Sequence, residues 1–194
     1  MSKESDCQRW DRKYAAGEGP AHFEPKPFLT QHHHLLGEGR ALDVACGFGG
    51  NALYLASLGY QVDAVDASGF ALTQARAEAA RNGLQMNVIQ ADLSRWWVPP
   101  ARYDLILVFY YLNRALMPFL AAGLRSGGLL FQANRNARFL AVRPGFDPEY
   151  LLQPGELGRL ARAAGLEVVY ESDELPVTEA GQDHDSRLIA RKPV

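Results

Sequence analysis

The sequence predicts an α/β protein built on an open, mostly parallel sheet, and three observations carry that prediction. Short aliphatic or β-branched runs alternate along the chain with helical patterns, the signature of strand-helix-strand units. Glycine follows the helical patterns where a left-handed residue would stop them, at Leu58-Gly59, Asn82-Gly83 and Ala164-Gly165. Between the last two strand-like runs lies a polar stretch carrying Glu171, Asp173, Glu174, Glu179, Asp183 and Asp185 with Pro176 and Gly181. No helix fits there, so the two runs are expected to pair antiparallel at the sheet edge.

Size and charge narrow the class. At 194 residues, with 47% apolar and 22% charged residues, the chain has the material for one domain. Its 20 basic and 22 acidic side chains are spread along the chain for a net charge of −2, which speaks against a nucleic-acid backbone as partner. Two cysteines and an opening Met-Ser-Lys-Glu-Ser-Asp without an apolar core lead us to expect a reducing, cytoplasmic setting and no disulfide framework. The longest uncharged stretch, Val44 to Val62, is interrupted by Gly47, Gly49, Gly50, Asn51, Ser57, Gly59 and Gln61 and makes no membrane span.

The elements follow in order. Residues 1–38 are expected to form an N-terminal cap segment, with a helix at about 27–36 whose Phe28, His32, Leu35 and Leu36 share a face. Trp10, Tyr14 and Phe23 ahead of it have the spacing of a lid or of a satellite apolar cluster. The domain proper, 39–194, opens with a strand at 40–45 that runs into a glycine loop and a helix containing Leu53, Leu55 and Leu58. Further strands are predicted at 61–65, 86–90, 103–109, 128–132, 166–170 and 187–191. A helix between the fifth and sixth has Pro154 near its start and a stripe of Leu157, Leu160, Ala161 and Ala164.

The glycine loop and the acids around it point to a bound ligand. In Ala45-Cys46-Gly47-Phe48-Gly49-Gly50-Asn51 the scarcity of side chains lets backbone approach a ligand at the carboxyl edge of the sheet. Asp66 ends the second strand about 20 residues after the loop, where a carboxylate accepts both hydroxyls of a ribose, and Asp92 ends the third, where it could accept from an exocyclic adenine amine. Asp43 immediately precedes the loop and suits an ammonium or sulfonium better than a pyrophosphate. Gly47 to Ala52 also satisfies a loose G-x-G-x-x-A dinucleotide pattern, so a nucleotide-dependent oxidoreductase with a degenerate fingerprint is the alternative. The chain has no Tyr-x-x-x-Lys pair to support it.

These residues resemble the class I S-adenosylmethionine-dependent methyltransferases. Leu42-Asp43-Val44-Ala45-Cys46-Gly47-Phe48-Gly49 is similar to the family's glycine motif, with Ala45 standing at its first glycine. Asp66, Asp92 and Tyr103-Asp104-Leu105-Ile106-Leu107 match the ribose acid, the adenine acid and the fourth strand. Trp10-Asp11-Arg12-Lys13-Tyr14, the helix start Gly50 to Ala56 and the Gly127-Gly128 turn look like TehB-type tellurite-resistance enzymes and, more distantly, thiopurine methyltransferases. The resemblance implies a Rossmann-like three-layer sandwich with strand order 3-2-1-4-5-7-6 and S-adenosylmethionine as cofactor. It implies a cofactor site drawn from Asp43, Ala45, Cys46, Gly47, Gly49, Asn51, Asp66, Ala67, Asp92, Leu93 and Phe109, closed by Trp10 and Tyr14. Residues after the fourth strand would then face the acceptor.

Methyl transfer from a sulfonium obliges the protein to no metal and no acid-base pair, since alignment and water exclusion are its main tasks. Tyr110, Tyr111 and Asn113 are the acceptor-pocket candidates after the fourth strand, and Arg138 and Arg143 follow from charge. Arg135, Arg138 and Arg143 place three cations between Asn134 and Pro144 without an acid, suiting a small anionic acceptor or simply a solvated loop. His32, His33 and His34 cannot share a helix face, so no metal site is expected from them. Cys7 and Cys46 lack ligand spacing. A non-catalytic S-adenosylmethionine-binding module would keep the same acids. The partners expected are a small-molecule substrate and at most a second copy of the chain, with no membrane.

Overall fold

A computed structural model describes residues 5–18, 23–173 and 184–194. It contains one seven-stranded sheet of order β3-β2-β1-β4-β5-β7-β6, with β1 at Arg40–Val44, β2 at Gln61–Asp66, β3 at Asn87–Gln90 and β4 at Tyr103–Phe109. The remaining strands are β5 at Leu124–Arg135, β6 at Glu167–Ser172 and β7 at Asp185–Arg191. That is the order the resemblance implies. Contacts divide the chain into one unit of Met1–Trp97 with Tyr103–Leu107 and another of Val98–Arg102 with Val108–Val194.

In the first unit β1 and β3 both pair parallel with β2, Val44 lying opposite Val65 and Val65 opposite Ile89. Ala41, Leu42 and Val44 are fully buried, as expected of a central parallel strand covered on both faces. Helices α1 (Asp6–Ala15), α2 (Pro27–Gln31), α3 (Gly50–Ser57) and α4 (Gly69–Arg81) belong to this unit. The helix expected over 27–36 is shorter than its pattern. It stops at His32, with φ −107° and ψ 24°, and continues as a 3₁₀ turn over His33–Leu35. Only Phe28 and Leu29 are buried, so no apolar stripe draws the histidines onto the core. His32 Nδ1 instead lies 2.9 Å from the Phe28 carbonyl oxygen.

At the amino ends of these strands a buried carboxylate ties four of them together. Asp63 is 2% exposed and accepts from Arg40 Nε and Nη2, from Asn87 Nδ2 at 2.7 Å and from the Tyr103 hydroxyl at 3.0 Å. Burial pushes its pKa up, but the hydrogen bonds from Asn87, Arg40 and Tyr103 outweigh burial and hold the carboxyl below its ordinary value.

In the second unit β7 runs antiparallel to both β5 and β6, and its pairing with β6 is the one the sequence predicts. β5 begins four residues earlier than its predicted start at 128, because Leu124 to Gly127 are extended rather than a turn. Gly127, at φ 78°, donates to the Lys192 carbonyl oxygen. Helices α5 (Met117–Gly123) and α6 (Glu156–Ala163) complete this unit, α6 burying Leu157 and Ala161 of its predicted stripe. Most of the polar stretch expected between the last two strands lies at 174–183, outside the described residues.

Candidate functional site

The glycine loop after β1 is built on left-handed backbone. Ala45, Gly47 and Gly49 have φ of 57°, 54° and 77°, and the turn closes through Gly49 N–H donating to the Cys46 carbonyl oxygen at 2.9 Å. Gly50 opens α3 where the Glu24 carbonyl passes so close that any Cβ would collide with it. Beside it Asn51 Oδ1 accepts from Lys26 N–H at 2.8 Å, so the Gly50-Asn51 pair holds the N-terminal segment against the loop. Ala45 bears a methyl group where glycine is favoured, at a cost of about 1–2 kcal/mol. Ala45→Gly is therefore expected to stabilise the protein by about 1 kcal/mol after glycine's own entropy is subtracted, raising Tm by about 2–4 °C in calorimetry. A lowered Tm would mean that the methyl packs better than its backbone strain costs.

Two acids, Asp43 and Asp66, sit at this loop, and a third, Asp92, follows β3. Asp43 is 1% exposed, and its Oδ2 is buried without a hydrogen-bond partner among the described residues. Burial, then the nearby Asp66, push its pKa to about 8 against the opposing Ala52 amide. A buried carboxylate oxygen lacking a donor is satisfied by a cationic or N–H-bearing ligand and repelled by a phosphate, so the donor set fits an ammonium group. Asp66 accepts from Gly47 N–H through Oδ2 and from Ser68 N–H through Oδ1, both at 2.8 Å, and burial raises its pKa despite those amides. Asp92 is half-buried and accepts from the Ser94 hydroxyl and amide, which lower its pKa. Ala67 and Leu93, each following an acid, are both buried. The Cys46 thiol is pushed well up by burial and the neighbouring Asp43 and Asp66, which makes it a poor nucleophile.

An aromatic chain runs from α1 over the loop: Trp10 to Tyr14 at 5.7 Å, Tyr14 edge-on to Phe48 at 5.1 Å, then Phe48 to Phe23 and to Phe70. Asp11 fixes α1 in place, accepting from the Ser68 hydroxyl at 2.6 Å and Phe70 N–H at 2.9 Å at the start of α4. The sequence reading missed α1 and Asp11. The signal was present, because Ser5 and Gln8 form a reciprocal capping box with Asp6 in the first turn.

In the second unit Tyr110 adopts φ 60° and donates its hydroxyl to Asp185 Oδ2 at 2.7 Å. Tyr111 is half-buried and Phe109 buried. Asn113 uses its amide oxygen to cap the turn at Ala115. Arg138 is exposed and donates to the Asp173 carbonyl oxygen, and exposed Arg143 lies against Phe146 at 5.8 Å. The two arginines chosen by charge thus face other partners than the Tyr110-Asp185 pair, and Asp185 was not singled out at all. Among the described residues no three metal-ligating side chains gather, and no helix is long and apolar enough to cross a membrane.

Comparison with known proteins agrees with this geometry. Residues 41–128 match the family model of a methyltransferase domain. The ubiquinone biosynthesis O-methyltransferase of Nitrosospira multiformis is 28% identical over 188 residues, spanning 84% of this chain and 78% of that protein. The ribosomal RNA small subunit methyltransferase C of Alcanivorax borkumensis is 41% identical over only 61 residues, so this chain spans 19% of its length. Among solved structures, TehB from Haemophilus influenzae superposes with a TM-score of 0.68 at 18% identity, covering 94% of this chain and 67% of that one.

Proposed function

The chain is a class I S-adenosylmethionine-dependent methyltransferase, and from that premise we propose that it methylates a small-molecule acceptor through an oxygen nucleophile. The observation that carries the cofactor half is the buried, unpartnered Oδ2 of Asp43 beside a left-handed glycine loop. The acceptor half is supported by the length over which the chain aligns with an O-methyltransferase.

S-adenosylmethionine supplies the methyl group as an electrophile on sulfur, so the residues of this chain need only bind, orient and exclude water. In this reading Asp43 answers the ammonium group, and the backbone of Ala45 to Gly49 lines the methionine part, with Cys46 and Asn51 holding the loop's shape. Asp66 turns its remaining lone pairs to the ribose and Asp92 accepts from the adenine amine, with Ala67 and Leu93 against the base. Trp10 and Tyr14 close over the site on α1. Phe109 lies on β4, and Tyr110, Tyr111, Asn113, Arg138 and Arg143 are the acceptor-side candidates.

The proposal is tested by thermal shift with S-adenosylhomocysteine against NAD and NADP, because a ligand at a hundredfold excess over Kd stabilises the native state by about 2.7 kcal/mol. Stabilisation by a dinucleotide and not by S-adenosylhomocysteine would overturn the cofactor half. Methyl transfer to RNA but to no hydroxylated small molecule would overturn the acceptor half.

Cofactor affinity should also depend on pH with a definite sign. Asp43 holds its proton up to about pH 8 in the ligand-free protein, and an ammonium beside it favours the carboxylate. Binding near neutrality therefore releases a proton, and calorimetric affinity for S-adenosylhomocysteine is expected to rise between roughly pH 6 and 8. The slope should vanish in Asp43→Asn.

A further inference from the structure

We propose that the second unit holds a docking site for a carboxylate on the methyl acceptor, formed by the Nε and Nη2 edge of Arg135 between the rings of Tyr110 and Phe139. The proposal rests on the reading of the chain as a methyltransferase of small molecules.

The antiparallel register of β5 and β7 sets Arg135 opposite Asp185 and Ala133 opposite Arg187, so Arg135, Asp185 and Arg187 share one face of the sheet. Arg135 donates from Nη1 to Asp185 Oδ1 at 2.8 Å, and its guanidinium carbon lies 4.9 Å from the Tyr110 ring centroid and 4.8 Å from that of Phe139. Two rings and a carboxylate thus fix the plane of the guanidinium. Its Nε and Nη2 make no hydrogen bond to any described residue, and the side chain is 40% exposed. An ordered fork with one edge engaged and the other open matches the two oxygens of a carboxylate.

Asp185 is buried and meets Arg135, the Tyr110 hydroxyl and, at 3.7 Å, Arg187 Nη2. Arg187 is largely buried, which makes Arg135 the cation a ligand can reach.

Two further observations belong to the same place. Tyr110 is held at φ 60° by its N–H on the Ala133 carbonyl oxygen at 2.8 Å and by its hydroxyl on Asp185, a strained conformation of a kind that recurs at ligand clamps. Beside the Phe139 ring, at 6.3 Å between centroids, His184 is 7% exposed and its Nδ1 has no hydrogen-bond partner among the described residues.

The test uses the full chain, 3,4-dihydroxybenzoate as probe and its methyl ester as the uncharged control, titrated calorimetrically with and without S-adenosylhomocysteine. The acid is expected to bind at least tenfold tighter than the ester. Arg135→Gln should abolish that preference while leaving the ester's affinity unchanged. Arg135→Lys keeps a cation for Asp185 but loses the fork, so it should lose most of the preference even if the glutamine variant fails to fold; a melting curve checks both. Equal binding of acid and ester, no binding of either, full preference in Arg135→Lys, or displacement of the acid by an equal concentration of inorganic phosphate would each overturn the carboxylate site. Failure of S-adenosylhomocysteine to bind would instead overturn the methyltransferase reading, since the acid and ester are compared without it as well.

Discussion

Asp66→Ala is expected to weaken S-adenosylhomocysteine binding by about a hundredfold or more, because the role proposed for Asp66 gives it two charge-assisted hydrogen bonds to ribose hydroxyls at about 1.5–3 kcal/mol each. The structure adds a second effect, since the same carboxylate accepts from Gly47 N–H and Ser68 N–H. Without it two buried amides lose their acceptor, and unfolding free energy should fall by about 2–4 kcal/mol. Calorimetric affinity and urea denaturation on one preparation separate the two effects, and unchanged affinity would remove the ribose from Asp66. Asp92→Asn is the control with a smaller expected loss, because its amide oxygen still accepts.

Asp63→Ala should act on stability alone. Removing this acid leaves the half-buried Arg40 guanidinium, the Tyr103 hydroxyl and the Asn87 amide without their common acceptor. Breaking a buried ion pair by removing one partner is costly, here about 3 kcal/mol, or about 6–12 °C in Tm. The pH dependence has a definite sign. With a folded pKa below the ordinary value, Asp63 contributes stability that is fully present above the unfolded carboxylate range and is lost as pH falls through the folded pKa. The gap between wild type and Asp63→Asn should therefore be widest at neutral pH and close in acid. A gap that widens in acid would refute the assignment.

The strands and the glycine loop were legible because they rest on local patterns, strand-like runs, glycine stops and acids spaced from the loop, whereas the sheet order followed from the family resemblance those residues carry. What escaped depended on partners distant in sequence. The start of β5 at Leu124 was hidden because Arg125-Ser126-Gly127-Gly128 reads as a turn until Lys192 is known to lie across from it. Asp185 reads as one more loop acid, and only the pairing with Arg135, 50 residues away, shows it as the partner of Tyr110 and Arg135. Counting charge between Asn134 and Pro144 singled out Arg138 and Arg143. The pleat of β5 decides which guanidinium meets Asp185, and composition carries no pleat.

Helix α1 contributes no buried residue to the core, and its attachment to α4 rests on Asp11 with the Ser68 hydroxyl and the Phe70 amide. Such an element opens without exposing a core, so its amides should exchange hydrogen on a faster clock than those of β1 and β2, which report only the collapse of the whole unit. Because Ser68 follows Asp66 by two residues, a cofactor bound at Asp66 as proposed is expected to slow that clock. Exchange at α1 would then become a gauge of cofactor occupancy, read from a helix that buries nothing in the core.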